Sequence, residues 1–230
     1  MESSAALHAL KKLENHDIIF KKGNRYQLSS FGKLYAIKSK NLFNSFHAIR
    51  KCEKIWLDHN MGGIPHDLIK KIQCLSSSFT VESTPTDIIK PYNHYAELLS
   101  KASKIKSVSP IFYYPYLDLY KKVLKRNANI ELILTPLILD KLIKTINIEN
   151  LKKIISSGNL RIYEINEEVK ISFTITEKSL TLGLFSVEGM YDATINLVSY
   201  DMDAIEWGNE LFDYYLRKAQ KVNLDHLDKL

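Results

Sequence analysis

The chain is organised around the stretch SSAALHALKKLENHDIIFKKGNRYQLSSFGKLY, residues 3–35. Its first half predicts a short helix, because leucines recur at helical spacing and form one apolar face. These leucines are Leu7, Leu10 and Leu13. The β-prone runs 18–21 and 26–29 flank Gly23, which can supply the positive φ of a tight turn, so they predict a hairpin. A second helix begins after the hairpin.

Polar and cationic side chains lie on the other faces of the predicted helix and at the tip of the hairpin. A cationic helix followed by a cationic hairpin is the arrangement of a recognition helix and its wing. Residues 1–30 are therefore interpreted as a partial winged helix-turn-helix domain whose partner is double-stranded DNA. The predicted DNA contacts are Ser4, His8, Lys11 and Lys12 on the helix and Lys21, Lys22 and Arg25 on the wing.

The net charge of the protein is concentrated in its first quarter. The 230 residues carry a formal net charge of +6. Residues 1–60 contain 11 Lys and Arg against 5 Asp and Glu, whereas residues 61–230 contain 21 of each kind. A basic module joined to a neutral one indicates a polyanion-binding segment attached to a part with another role.

Residues 31–60 predict one long amphipathic helix, because apolar side chains recur at helical spacing without an internal proline. Such a helix is about 45 Å long at ~1.5 Å per residue. It is interpreted as a linker and dimerisation helix, and the alternative is a helix packed wholly on its own domain. The glycines and proline of Met61–Pro65 end it, which predicts a domain boundary before residues 61–230.

Residues 61–230 alternate between strand-like and helix-like segments, which predicts an α/β sandwich with a largely parallel sheet. The predicted strands are 79–82, 105–112, 130–135, 160–163, 170–176 and 180–185. A final helix is predicted over Met202–Lys221, with acidic residues at its start and basic residues at its end.

The second half of the chain carries no recognised catalytic motif. Phosphate-binding glycine loops, HExxH and GxSxG are absent from the sequence. The histidines lack metal-ligand spacing, and the two cysteines, Cys52 and Cys74, fit neither a metal site nor a disulfide framework. We therefore expect a protein that is not an enzyme and has no cofactor or metal.

A small-molecule effector site is expected at the carboxyl ends of the strands, where ligands collect in parallel α/β sheets. Tyrosines beside these ends combine an apolar ring with a polar tip. The predicted ligand-binding residues are Ser109, Tyr113, Thr135, Gly183 and Tyr191. The alternative is that these aromatic residues simply form the core.

No apolar run approaches the ~18 residues that span a bilayer, and the N-terminus lacks the pattern of a signal peptide. Free cysteines suit a reducing compartment. The sequence therefore predicts a cytoplasmic protein without a membrane partner.

Six strings together resemble the archaeal methanogenesis-regulator type of transcription factor. They are WLDHNMGGIP (56–65), VESTP (81–85), SPIFYYP (109–115), ELILT (131–135), TLGLFSVEGMYD (181–192) and EWGNELFDYY (206–215). The resemblance implies an N-terminal winged helix and a C-terminal regulatory domain. It also implies a dimeric, DNA-binding regulator that senses an effector.

The order of elements in the second half is also similar to the phospholipase-D-like sensor fold of some archaeal sugar-responsive regulators. Active members of that superfamily carry HxKxxxxD. No histidine in this sequence has a lysine two residues further on. The resemblance therefore implies a binding cavity without the catalytic motif, and disfavours the alternative of a hydrolytic enzyme.

The chain departs from the resembled family at its front. A complete winged helix has two helices before the recognition helix, and this sequence begins at the recognition helix. The N-terminus is therefore expected to be truncated relative to the family. Two functions remain open: a ligand-responsive DNA-binding regulator, or a dimerising sensor that has lost DNA binding and acts through protein partners.

Overall fold

A helix and a two-stranded hairpin open the chain. The computed structural model describes residues 2–223 and begins with helix α1 (Glu2–Asn15). Strands β1 (Ile19–Lys22) and β2 (Arg25–Leu28) pair antiparallel around a turn in which Gly23 has a φ of +62°. Glycine adopts a positive φ at no steric cost, which explains its place in the turn. The predicted helix and hairpin are both present.

The base of the hairpin is tied to helix α2 (Ser30–Lys51). Ser29 caps this helix by accepting a hydrogen bond from the Gly32 N–H at 2.8 Å, and its hydroxyl donates to the Asp17 carbonyl. A Cβ at Gly32 would lie 1.9 Å from the Ile18 carbonyl oxygen, so the contact requires glycine. The hairpin and α2 therefore meet backbone to backbone.

The prediction of a single helix over residues 31–60 is wrong. Cys52 leaves helical geometry with a φ of −114° and a ψ of 32°, and a second helix, α3 (Glu53–Asp58), follows it. The next two residues form strand β3 (His59–Asn60). The helix breaks because the chain must turn for β3 to join the sheet, a tertiary contact that helical periodicity does not report.

The end of α2 and the whole of α3 share one hydrophobic core with the rest of the chain. Ala48, Cys52 and Ile55 are each 1% exposed or less and belong to the same buried cluster as Ile64. The break that the sequence places at residues 61–65 therefore lies inside a core and does not separate two cores.

A mixed sheet forms the centre of the described residues. Its strand order is β11-β7-β6-β5-β8-β9-β10-β4, and β3 pairs with β9. Strands β5, β6 and β7 are parallel, and the remaining pairs are antiparallel. The further strands are β4 (Phe79–Glu82), β5 (Lys104–Ser109), β6 (Asn129–Leu134), β7 (Leu160–Glu164), β8 (Ile171–Thr176), β9 (Leu180–Ser186), β10 (Ile195–Ser199) and β11 (Gln220–Lys221).

The prediction of a largely parallel sheet is wrong, although the α/β class is confirmed. Parallel pairing requires a long crossover, and among strands that are neighbours in the sheet only β5 and β6, and β6 and β7, are connected by helices. Strands β8 and β9 are joined by a short turn, which permits antiparallel pairing alone. Strand β10 was not predicted, because its sequence INLVS mixes polar and apolar residues without strict alternation.

Helices cover both faces of the sheet, and alternate residues of each strand enter opposite cores. On β6, Ile130, Leu132 and Leu134 enter one core and Ile133 enters the other, as the two-residue period of a strand requires. The further helices are α4 (His66–Ile69), α5 (Lys90–Lys101), α6 (Tyr114–Leu124), α7 (Pro136–Ile146), α8 (Ile148–Ser156) and α9 (Met202–Leu216), with a 3₁₀ turn over Ile72–Leu75.

Helix α9 holds the segment after β3 against the sheet. The Trp207 indole N–H donates to the Leu68 carbonyl at 2.9 Å, and the Tyr215 hydroxyl donates to the Gly63 carbonyl at 2.6 Å. The helix predicted to run to Lys221 ends at Leu216, because β11 then pairs with β7.

Candidate functional site

A narrow cavity of about 80 Å³ lies between the sheet and helices α5, α6 and α7. Four of the five predicted ligand-binding residues line it, namely Ser109, Tyr113, Gly183 and Tyr191. Thr135 is not among the lining residues. It follows Leu134, which does line the cavity, and successive side chains of an extended chain point to opposite faces. The expectation for Thr135 is therefore corrected, whereas ligand binding by the other four stays a prediction.

The floor of the cavity is polar because small hydroxyl and amide side chains alternate along four neighbouring strands. These residues are Ser107 and Ser109 on β5, Ser172 and Thr174 on β8, Thr181 on β9 and Asn196 on β10. The intervening positions on the same strands, such as Val108 and Leu182, enter the opposite apolar core. The sheet thus presents hydroxyls and an amide to one side only.

Several of these hydroxyls are already linked by hydrogen bonds. Tyr95 Oη lies 3.0 Å from both Tyr120 Oη and Thr174 Oγ1, and Thr174 Oγ1 lies 2.9 Å from Ser107 Oγ. Ser107 also donates to the Phe173 carbonyl at 3.1 Å. Burial raises the pKa of Tyr95 well above its ordinary value, so it remains a neutral phenol. This series of hydrogen bonds holds the Tyr95, Ser107 and Thr174 side chains in place in the cavity lining.

Aromatic rings form the opposite wall and the mouth. Tyr113 and Tyr116 meet edge to face with ring centres 5.0 Å apart, and Tyr92 stacks on Tyr116 at 6.0 Å. Tyr113 is 43% exposed, whereas burial raises the pKa of the Tyr116 phenol. Tyr113 therefore lines the cavity and is also in contact with solvent.

Gly183 leaves space that a tyrosine occupies. A Cβ at this position would lie 2.3 Å from Tyr191 Oη and 3.0 Å from Asn196 Oδ1. Burial raises the pKa of Tyr191 to about 12, opposed by a hydrogen bond with Ser172. The close approach expected at Gly183 is thus made by polar tips of this chain, which converge beside the cavity.

Asn196 is a cavity residue that the sequence analysis missed. It is 6% exposed, and β10 carries it into the polar floor. In the sequence, Asn196 was only a single asparagine within the segment INLVS, and this segment was not predicted to be a strand.

A buried histidine connects the cavity region to α3. His59 Nδ1 lies 3.0 Å from the Ile55 carbonyl oxygen, and Nε2 lies 3.1 Å from Asp192 Oδ2. Asp192 directly follows the cavity residue Tyr191, and its other oxygen accepts from the Thr194 N–H and hydroxyl at 2.8 and 2.6 Å. The wall of the cavity and the end of α3 are therefore joined by hydrogen bonds as well as by the β3–β9 pairing.

The pKa of Asp192 reflects two opposing effects. Burial raises it, but the hydrogen bonds from Thr194 and the contact with His59 outweigh burial and hold the pKa below its ordinary value. The carboxylate is thus charged at neutral pH and accepts hydrogen bonds from Thr194.

The predicted DNA contacts are all exposed. They are Ser4, His8, Lys11, Lys12, Lys21, Lys22 and Arg25. The apolar face predicted for α1 is also open in residues 2–223: Leu7 is 55% exposed and Leu13 is 38% exposed. Phe20 and Leu28 of the hairpin are 44% and 42% exposed. The helix and hairpin therefore offer both charged and apolar side chains to a partner.

Residues 2–223 contain neither a cluster of metal ligands nor a membrane-spanning helix. No group of histidine, cysteine and acidic side chains in this range could hold a metal ion. No helix in it is long and apolar enough to cross a membrane. Cys52 and Cys74 are both free, and burial raises the pKa of each thiol, which disfavours the nucleophilic thiolate form.

The cavity lies within a known family of regulatory domains. The model for the middle domain of the methanogenesis regulatory protein FilR1 matches residues 88–218, more than half of the chain. The chain belongs to this family. The matched range contains every residue that lines the cavity, and it begins after the helix and hairpin.

A curated FilR1 relative extends the similarity along the chain. The methanogenesis regulatory protein FilR1 of Methanothrix harundinacea (strain 6Ac) is 23% identical over 231 residues, covering 99% of this chain and 52% of the relative. The chain thus spans about half the length of the curated relative that it matches.

Two solved structures are more distantly similar to this chain. TrmBL2, an archaeal chromatin protein whose structure is described as a novel mode of DNA binding, has 15% identity and a TM-score of 0.49 over 94% of this chain and 81% of its own. NucT from Helicobacter pylori has 16% identity and a TM-score of 0.44 over 64% and 98%. Similarity at this level says nothing about the activity of this chain.

Proposed function

We propose that this protein is a transcriptional regulator that binds double-stranded DNA through α1 and the β1–β2 hairpin and an effector in the cavity. The observation that carries the proposal is the exposed cationic helix and hairpin in a segment that holds the entire net charge. Membership of the FilR1 family supports a regulatory role. Catalysis is not part of the proposal, because the sequence lacks HxKxxxxD. The protein would act in the cytoplasm, beside the DNA.

The two parts of the predicted interface have different tasks. Side chains of α1, such as His8 and Lys11, would reach base edges, which carry the sequence information. Hairpin cations, such as Lys22 and Arg25, would contact phosphates and orient the protein as the wing of a winged helix does. A shift of the cavity wall on effector binding would be transmitted to α3 through the contact between Asp192 and His59. This contact and the β3–β9 pairing link the wall to the helices that follow the hairpin.

The first test is a salt titration of DNA binding. The protein is mixed with a duplex from the region upstream of its own gene, and the dissociation constant is measured between low and moderate salt. Five cations in the interface predict a log–log slope of about −4 to −5. A random duplex of equal length is the control for specificity. Failure to detect salt-sensitive binding to either duplex would reject the DNA-binding role.

We also propose that α2 pairs with α2 of a second copy. Apolar side chains recur along its exposed surface at spacings of seven, four and three residues: Tyr35 (52% exposed), Leu42 (57%), Phe46 (58%) and Ile49 (44%). This is the spacing of a helix seam that packs against a partner helix. The seam spans much of a helix about 33 Å long, at ~1.5 Å per residue.

Replacing both Leu42 and Phe46 with glutamate is expected to convert a dimer into a monomer, because like charges would then face each other across the seam. Light scattering after size exclusion should report the mass of two chains for the unmodified protein and of one for the variant. The matched control is Lys33→Glu with Lys40→Glu, two exposed lysines on the opposite face of the same helix, which keeps the seam. A monomeric unmodified protein would contradict dimerisation.

The second candidate function is a dimerising sensor that acts through protein partners. The exposed apolar residues of α1 and the hairpin favour it, since exposed apolar patches mark interaction sites. The two candidates differ in one result: only the DNA-binding regulator gives a salt-sensitive shift with duplex DNA.

A further inference from the structure

The Asn196 side chain is 6% exposed and lines the cavity. Its amide is not among the fully enclosed polar atoms without a partner in residues 2–223, so it is open to a group in the cavity. An amide in this position can hydrogen-bond to water or to a ligand. The neighbouring floor hydroxyls of Ser107 and Thr174 are, by contrast, already paired.

A second polar tip converges on the same space. Tyr191 Oη and Asn196 Oδ1 both lie within 3.0 Å of the point that a Cβ on Gly183 would occupy. An amide can donate two hydrogen bonds and accept two, and a phenol can do either. The complementary ligand group is therefore one that both donates and accepts, such as an amide or a hydroxyl.

The surroundings exclude a charged ligand. None of the described residues that line the cavity is Lys, Arg, His, Asp or Glu. An ion entering such a site would lose its hydration without gaining a counter-charge, which is expensive. The aromatic wall of Phe112, Tyr113 and Tyr116 instead offers flat apolar surface to the body of a neutral molecule.

The volume of the cavity limits the size of the ligand. The cavity measures about 80 Å³, roughly half of the ~150 Å³ apolar cavity that holds benzene. It therefore fits a molecule, or the buried end of a molecule, with only a few non-hydrogen atoms.

We propose that the cavity binds a small uncharged molecule whose amide or hydroxyl group is held by Asn196, with its apolar part against the tyrosine wall. This assignment of ligand class rests on the proposed function only in taking the cavity as the effector site. The ligand class is set by the polar floor, the absence of lining charge and the volume.

The test uses three probes of the same size: propionamide, propionate and propylammonium. Binding to the full chain is measured without DNA by saturation-transfer NMR and by thermal shift. We expect propionamide to bind at millimolar concentration and the two ions to bind at least tenfold more weakly. Preference for either ion, or binding by none of the three, would overturn the assignment.

Two variants locate the binding. Asn196→Leu keeps the side-chain size without the amide and should weaken propionamide binding about tenfold, the size of effect expected for one lost hydrogen bond. Asn93→Leu, an exposed asparagine on α5 outside the cavity, should leave it unchanged. Equal binding to Asn196→Leu and the unmodified protein would overturn the role of Asn196. If Asn196→Leu does not fold, the comparison of the three probes on the unmodified protein still decides the ligand class.

The outcome is independent of DNA binding. Binding of propionamide by a protein that does not shift duplex DNA would remove the regulator role and keep the ligand class. A protein that shifts DNA but prefers propionate would keep the regulator role and remove the ligand class.

Discussion

A protein carrying Lys11→Glu and Lys12→Glu is expected to bind its promoter DNA at least about 100-fold more weakly than the unmodified protein. A hydrogen bond to a charged group contributes about 1.5–3 kcal/mol, so losing two of them costs ~3 kcal/mol or more. Both lysines are exposed on α1, and glutamate is a good helix former, so the helix should remain. Fluorescence anisotropy with labelled duplex measures the change.

The matched control is Lys121→Glu with Lys122→Glu on α6. This pair is also adjacent, exposed and helical, and it changes the net charge by the same amount. It should weaken DNA binding by only a few-fold, because it changes only the overall electrostatic potential of the protein. The log–log salt slope should fall by about 2 for the α1 variant and stay constant for the control. Equal losses in the two variants would show that α1 does not contact DNA.

Asp192→Ala is expected to lower the free energy of unfolding by about 3 kcal/mol, the largest effect on stability among these predictions. His59 has a side chain that is 2% exposed, and both of its ring nitrogens face oxygen atoms that can only accept. Removing the carboxylate leaves the buried Nε2 without its partner, at about 1–3 kcal/mol, and also removes the hydrogen bonds from Thr194.

Asp192→Asn separates charge from shape. The asparagine can accept from Thr194 with its oxygen and donate from its nitrogen to Nε2 of His59, so both neighbours remain paired. Its cost should be clearly smaller than that of alanine. Asp213→Ala, at an exposed position on α9, is the control and should change stability by less than about 0.5 kcal/mol. Chemical denaturation measures all three. Equal losses for alanine and asparagine would contradict the paired-ring geometry.

The pH dependence of stability follows from the lowered pKa of Asp192. A carboxyl group whose folded pKa lies below its unfolded value stabilises the fold above the unfolded pKa of about 3.9. This contribution is lost as the pH falls through the folded pKa. The unmodified protein should therefore lose stability below about pH 4 more steeply than Asp192→Asn does. If the free energy of unfolding fell equally with pH in the unmodified protein and in Asp192→Asn, the lowered pKa of Asp192 would be contradicted.

Local patterns in the sequence predicted most of the individual elements. Leucines at helical spacing marked α1, the Lys22-Gly23-Asn24 turn marked the hairpin, and alternating or buried apolar runs marked β5, β6, β8 and β9. These features depend on neighbours along the chain, so the sequence displays them directly. The concentration of charge in residues 1–60 was visible for the same reason.

The sequence did not show where a helix ends because the following residues pair with a distant strand. The α2 pattern continues past Cys52, and nothing local indicates that His59 and Asn60 leave the helix to pair with β9. The early end of α9 has the same cause, since the following residues pair with β7. In each case pairing with the sheet overrides helical periodicity.

The sequence by itself determined a basic helix and hairpin, an α/β second half and four cavity residues named from strand ends and glycine. Only the tertiary structure decided which residues share the cavity, because the strand order β5-β8-β9-β10 brings Ser109, Tyr191 and Asn196 together across more than eighty positions. It also decided that Thr135 is not among the lining residues of the cavity and that Asp192 contacts His59. Side-chain direction and strand order are set by packing the whole sheet between its helices, and no local stretch of the chain contains that information.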